Sequence, residues 1–134
     1  MRKYILIAIL ALTACSASED TSLAEQAVPK FHELLDAGEF VYIYEQSADD
    51  LRRSATQQQF VAVLDAIHRK LGTTKTTSPL GWRIDYQTSG TFVTLTYDTD
   101  YSDGKAQERF VYRLQDHQAL LVSYYVNSNA LIVR

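Results

Sequence analysis

Glu108 is the residue best placed to move a proton. It falls in register with Ala106, Phe110, Tyr112 and Leu114, so in a β-strand it shares a face with an apolar set. A carboxylate held in an apolar interior is expected to have a raised pKa and to act as a general acid or base. The alternatives are a buried glutamate bonded to a tyrosine hydroxyl, or a strand-edge residue facing water. Asp98, Asp100 and Asp103 stand close together before Gly104, a density of carboxylates that can hold Ca²⁺. Their spacing is not that of an EF-hand loop. Asp98 and Asp100 share one face of a strand, where they read equally as a solvated edge that discourages pairing with another chain. His32, His68 and His117 lack the close spacing of zinc ligands and are expected as three partly exposed histidines. The glycines are isolated and no Gly-x-Ser-x-Gly elbow occurs. The sequence therefore implies no cofactor, no phosphate loop and no serine nucleophile.

Tyrosine is the most unusual component, with 9 in the chain. It is enriched at protein interfaces and ordinary in half-buried strands. Tyr124 and Tyr125 are adjacent, so they face opposite sides of any sheet and cannot both be core. Tyr112, Tyr124 and Tyr125 are the candidate binding contacts.

The elements that would position these residues follow from periodicity. Leu23, Ala27, Phe31, Leu34 and Leu35 predict a helix over residues 23–36, with Ser22 as its cap, Gly38 as its stop and Pro29 as a kink or a late start. A second short helix is predicted over residues 39–46, with Phe40, Ile43 and Tyr44 buried. Residues 47–55 read as a polar connection. Thr56 and Gln59 form a capping box for a third helix with the stripe Phe60, Val63, Leu64, Ile67 and Leu71, ended by Gly72. Residues 73–78 read as a threonine-rich loop. The period then changes to two. Strands are predicted around Trp82–Thr88, Phe92–Tyr101, Ala106–Leu114 and Ala119–Asn127, with turns at Ser89-Gly90, Asp103-Gly104 and Asp116-His117. Asp103-Gly104 carries the strongest hairpin signal, because both central residues of a type I′ turn need positive φ. Leu131-Ile132-Val133 extends the last strand or packs as a tail. Two to three N-terminal helices packed on one face of a C-terminal four-stranded antiparallel sheet make an α+β fold.

Residues 2–12 have a different character. Arg2 and Lys3 precede the nine-residue apolar run Tyr4–Leu12, too short to span a bilayer, which needs about 20 residues. This is the plan of a secretory signal peptide. The four residues Leu12-Thr13-Ala14-Cys15 resemble the lipobox of bacterial lipoproteins. The resemblance implies cleavage after Ala14 and lipid on Cys15, the only cysteine of the chain. One acyl chain anchors weakly and two or more anchor stably. The expected organisation is a signal peptide over 1–14, a lipidated cysteine with its tether over 15–22, and one domain over 23–134. Ser16 stands where Asp would favour the inner membrane, so the resemblance implies an outer-membrane lipoprotein facing the periplasm in a Gram-negative cell. The chain has 13 basic and 16 acidic side chains; without Arg2 and Lys3 its net charge goes from −3 to −5. That charge argues against nucleic acid as a partner and leaves the lipid, not a basic patch, as the membrane contact.

The helix end Arg69-Lys70-Leu71-Gly72, the strand Tyr97-Asp98-Thr99-Asp100-Tyr101, Glu108, and Val122-Ser123-Tyr124-Tyr125 resemble a family of small bacterial lipoproteins and secreted domains of cystatin-like or NTF2-like build. The resemblance implies the fold rather than an activity. Three functions are then expected in order. The first is an envelope lipoprotein acting as a non-catalytic binding or accessory module for another envelope protein. The second is an inhibitor or immunity lipoprotein against an envelope hydrolase, for which acidity would suit a basic target. The third is an NTF2-like pocket with Glu108 as acid or base.

Overall fold

The computed structural model describes residues 12–132. The n-region and most of the apolar run of the expected signal peptide lie outside the described residues. Within them the chain forms five helices and four strands: α1 Leu12–Asp36, α2 Phe40–Gln46, α3 Asp49–Ser54, α4 Gln57–Leu71, β1 Thr74–Gln87, β2 Gly90–Tyr101, β3 Gly104–Gln115, β4 Gln118–Asn127 and α5 Asn129–Ile132. The strands make one antiparallel meander in the order β1-β2-β3-β4. Helix α1 lies across it and touches all four strands, as the α+β reading requires. Among the described residues no helix is long and apolar enough to cross a membrane.

Helix α1 starts earlier than its apolar period suggests. The segment Ser16–Ser22, expected as an irregular tether, is helical. Its polar side chains find local partners: Thr21 is buried and its hydroxyl donates to the Ala17 carbonyl (2.8 Å), while the Gln26 amide donates to Ser22 Oγ (3.0 Å). The Tyr86 hydroxyl donates to Asp20 across a gap of 66 residues (3.2 Å). Pro29 neither ends nor delays the helix. It lies on the exposed side, so the carbonyl it leaves without a donor belongs to the solvent-facing side of the helix. Ala24, Val28, Phe31 and Leu35 make the buried stripe.

The connection over residues 47–55 contains a helix, α3, that polarity alone concealed. Asp49 and Asp50 stand in its first turn and Arg52 and Arg53 in its last, the arrangement that suits the helix dipole. The Ala48 amide donates to the Leu121 carbonyl (2.9 Å), which ties α3 to the free edge of β4. Asp50 and Arg113 form a two-pronged ion pair at 2.9 and 2.6 Å. The Arg113 guanidinium holds the Asp50 carboxyl below its ordinary range despite partial burial. In α4 the capping box of Thr56 and Gln59 is made. Leu64, Ile67 and Leu71 are buried, while Val63 from the expected stripe is half exposed.

Three differences concern the sheet. Strand β1 begins at Thr74, so the threonine-rich loop is strand, and a shift in register between Pro79 and Gly81 accommodates the proline. The β2–β3 turn consists of Ser102-Asp103, with Gly104 already paired to Tyr101, and neither Asp103 nor Gly104 has positive φ. The turn with two positive φ values is Asp116-His117 (52° and 58°), between paired Gln115 and Gln118. Gly104 is required for space: a Cβ there would lie 3.0 Å from Ala130 Cβ and 3.1 Å from Leu71 Cδ2. The tail is helix α5 rather than strand, started by Ser128, whose hydroxyl accepts from the Ala130 amide (3.2 Å).

Gly104→Val should therefore destabilise the domain by about 1–3 kcal/mol through overpacking. Adding Ala130→Gly should recover part of that loss, as thermal denaturation of the two variants would show.

Candidate functional site

Glu108 points inward and is fully buried. Its carboxylate is the meeting point of four side chains from three elements besides its own. His32 of α1 donates from Nε2 to Oε1 (2.8 Å), and Thr99 of β2 donates its hydroxyl to the same oxygen (2.5 Å). Tyr101 of β2 donates to Oε2 (2.7 Å), and so does Tyr124 of β4. Strand alternation explains the sheet half of this set. Thr99 and Tyr101 lie two residues apart on the inner face of β2, and the ladder places Tyr97 opposite Glu108 and Tyr124 opposite Phe110. The helix half comes from α1, where His32 follows Phe31 into the core.

Aromatic rings close the surroundings. Phe31 packs against Phe110 (5.1 Å between centroids) and Tyr124 (4.6 Å), and His32 meets Phe110 edge-on (5.8 Å). Burial alone would push the Glu108 carboxyl up, as the sequence suggested. The hydrogen bond and charge of His32, with the Thr99 and Tyr124 hydroxyls, outweigh it and hold Glu108 below its ordinary value. This corrects the expectation of a raised pKa. The same burial and the Glu108 charge raise Tyr101 and Tyr124, so both hydroxyls keep their protons and serve as donors. The arrangement holds the carboxylate ionised among its own donors.

The other candidates are dispersed. Tyr124 faces the core, while Tyr125 is 54% exposed and lies under the Arg109 guanidinium (5.2 Å to the ring centroid). Asp98 and Asp100 are exposed on the outer face and Asp103 is in the β2–β3 turn. Among the described residues no three His, Cys, Asp or Glu side chains are grouped to hold a metal ion. Of the histidines, His32 is buried rather than partly exposed, and His117 is exposed in the β3–β4 turn. Cys15 lies in the first turns of α1.

Two further features bear on function: the exposure of β1 side chains, which the sequence did not show, and a cleft between helices and sheet, which the pocket reading expected. Leu80, Trp82 and Tyr86 of edge strand β1 are 51%, 60% and 61% exposed. Trp82 pairs with Leu95 and so belongs to the inner face, but one helix about 10 Å wide cannot cover four strands spaced about 4.8 Å apart. The second is an open cleft of about 410 Å³ between α1, α2 and the β3–β4 hairpin, with Tyr112 in its wall. The Glu108 carboxylate does not line it.

Residues 27–124 match a family described as a protein of unknown function, DUF4019. The chain belongs to the DUF4019 family. The matched span runs from α1 to Tyr124 and so contains His32, Thr99, Tyr101 and Glu108. No curated protein matches the sequence. A solved structure of a protein from Catenulispora acidiphila is similar in fold, with a TM-score of 0.55 at 16% identity over 88% of this chain and 97% of that one.

Glu108→Gln should cost about 3–5 kcal/mol, the range for breaking a buried charged pair, because an amide offers one acceptor oxygen to four donors. Glu108 has a lowered pKa in the folded state. Its contribution is therefore complete above the unfolded glutamate value and is lost as pH falls through the folded one. Wild-type stability, followed by urea unfolding, should fall on acidification below the ordinary glutamate range, and Glu108→Gln should flatten that fall.

Proposed function

We propose that this DUF4019 protein is a lipid-anchored envelope lipoprotein whose domain is a non-catalytic binding or accessory module. The observation that carries the non-catalytic half is the saturation of Glu108. The one carboxylate that sequence reasoning offered as an acid or base is fully buried, and each of its oxygens accepts two hydrogen bonds. A general base needs reach to a substrate proton, and this one faces only its own donors. The anchor rests on Leu12-Thr13-Ala14-Cys15 after a short apolar run, with the cystatin-like or NTF2-like build as the expected scaffold.

The binding half is supported by the uncovered aromatic side chains. Trp82 and Tyr86 on the β1 edge and Tyr125 on the outer face are large, stiff and exposed, the side-chain types enriched at protein interfaces. An edge strand also offers backbone groups to a partner. The partner proposed is another envelope protein; an inhibitor of an envelope hydrolase is the special case in which that partner is an enzyme.

Two measurements test this. Cells making the full precursor should incorporate labelled fatty acid into the protein and hold it in the membrane fraction, whereas Cys15→Ser should abolish both. An unlabelled wild type would defeat the anchor. The lipidated protein, immobilised and exposed to detergent-solubilised envelope, should retain a specific protein that a Trp82→Ala/Tyr125→Ala double variant loses. Retention unchanged by that variant would remove the aromatic contacts from the account.

A further inference from the structure

Strand β1 leaves one edge of the sheet open. At the other edge the Leu121 carbonyl of β4 accepts from the Ala48 amide, whereas among the described residues the backbone of Trp82–Tyr86 bonds to β2 alone. Alternation fixes which of its groups are free. Gln87 pairs with Gly90 across the two-residue turn Thr88-Ser89, and the pair that flanks such a turn is a hydrogen-bonded one. Counting back from it, Asp85 and Arg83 bond to β2, and Trp82, Ile84 and Tyr86 direct their N–H and C=O groups to the open edge. Strand β2 agrees. Counted from Tyr101 and Gly104 at its other turn, Leu95 and Val93 bond to β3, which leaves Thr94 and Phe92 for Arg83 and Asp85. The free run is bounded by the turn on one side and by Pro79 with its register shift on the other.

The side chains of that run are complementary to themselves. Trp82-Arg83-Ile84-Asp85-Tyr86 reads aromatic, basic, apolar, acidic, aromatic. Paired antiparallel with its own copy about a two-fold axis at Ile84, the run sets Arg83 of each copy opposite Asp85 of the other, and Trp82 opposite Tyr86. The three outward residues then fall in hydrogen-bonded pairs. Arg83 and Asp85 fall in the non-hydrogen-bonded pairs, where side chains come closest. An axis at residue 83 or 85 would instead set like charges face to face, which destabilises a strand pair. The Arg83 and Asp85 side chains are 73% and 36% exposed and meet each other on their own strand (3.0 Å). Two such pairs lying head to tail make a square of alternating charge. Trp82 and Tyr86 are each more than half exposed.

We propose that β1 pairs with β1 of a second copy of this chain about Ile84, joining two four-stranded sheets into one of eight strands. This rests on the reading of β1 as a binding edge and names the partner of that edge. The contact is isologous: two Arg83–Asp85 pairs on the outer face, two Trp82–Tyr86 pairs on the inner face, and backbone hydrogen bonds between the strands. The axis runs perpendicular to the sheet, so the α1 helices of both copies stay on one face. The two Cys15 residues proposed to carry lipid then lie on the same side.

The test is sedimentation equilibrium of the full-length protein in density-matched detergent, which reads the number of chains in each particle. Wild type should sediment as two chains. Arg83→Asp and Asp85→Arg each set like charges opposite one another in both pairs, and each should weaken association about tenfold or more. An equimolar mixture of the two variants restores opposite charges in both pairs. It should recover the dimer at a concentration where neither variant forms one alone. A wild type that stays single, variants that associate as wild type does, or a mixture no better than its components would each overturn the proposal. Both side chains are at the surface, and recovery in the mixture also shows that the variants are folded. Capture of an envelope protein is read separately. A dimer that captures nothing removes the accessory reading and leaves the pairing, and a single chain that captures a specific protein does the reverse.

Discussion

A carboxylate removed from water must find hydrogen-bond donors inside the protein, and the interior of this domain is arranged around that demand. Glu108 takes two donors on each oxygen. A buried ionised group left unpaired costs several kcal/mol. The positions of His32, Thr99, Tyr101 and Tyr124 are therefore not independent. Each must deliver an N–H or O–H to within hydrogen-bond distance of one small group, and this fixes the height of α1 over the sheet and the stagger of β2 and β4 against β3. The aromatic shell of Phe31, Phe110 and Tyr124 then keeps water away and strengthens those bonds.

The same constraint separates the interior from the open cleft and the exposed edge strand. Phe31, one of the rings that seal the carboxylate, also lines the cleft, as does the Phe110-stacked Tyr112. The charged centre is closed off from the cleft. On the other flank, α1 is tied to β1 near its two ends, where Asp20 accepts from the Tyr86 hydroxyl and Asp36 accepts from the Thr74 amide and hydroxyl, and Leu80, Trp82 and Tyr86 of the strand stay exposed. The charge pair of Asp50 and Arg113 repeats the logic at the margin, where partial exposure makes it a clamp between α3 and β3.

Much of this was legible in the sequence, and the limits have physical causes. The α+β order, the α4 capping box and the inward face of β3 follow from periods of 3.6 and 2, which survive in a single sequence. The register with Phe110 and Tyr112 allowed an inward Glu108 bonded to a tyrosine hydroxyl and left a strand edge facing water as the alternative. The histidine partner was not legible. His32 is 76 residues away, and nothing local tells a histidine on an apolar helix face that a carboxylate waits opposite. The sign of the pKa shift failed for the same reason, since desolvation is readable from apolar neighbours and compensating donors are not. Helix α3 and the first half of β1 were hidden because their stability comes from docking and pairing rather than from an apolar stripe. At Gly104 the dipeptide signal was real, but the glycine answers a packing need against Leu71 and Ala130.

The origin of the four donors bears on how the domain assembles. Three of them, Thr99, Tyr101 and Tyr124, belong to the sheet, and only His32 arrives from elsewhere. A meander of neighbouring strands forms through contacts of short sequence separation, whereas docking of α1 closes most of the chain. Once the strands have paired, and before the helix arrives, the inner face presents a carboxylate ringed by hydroxyls in the middle of its apolar surface. That wet patch interrupts the continuous greasy face on which half-assembled sheets adhere to one another. The residue that looks like the costliest choice for the finished core thus keeps the unfinished one from sticking.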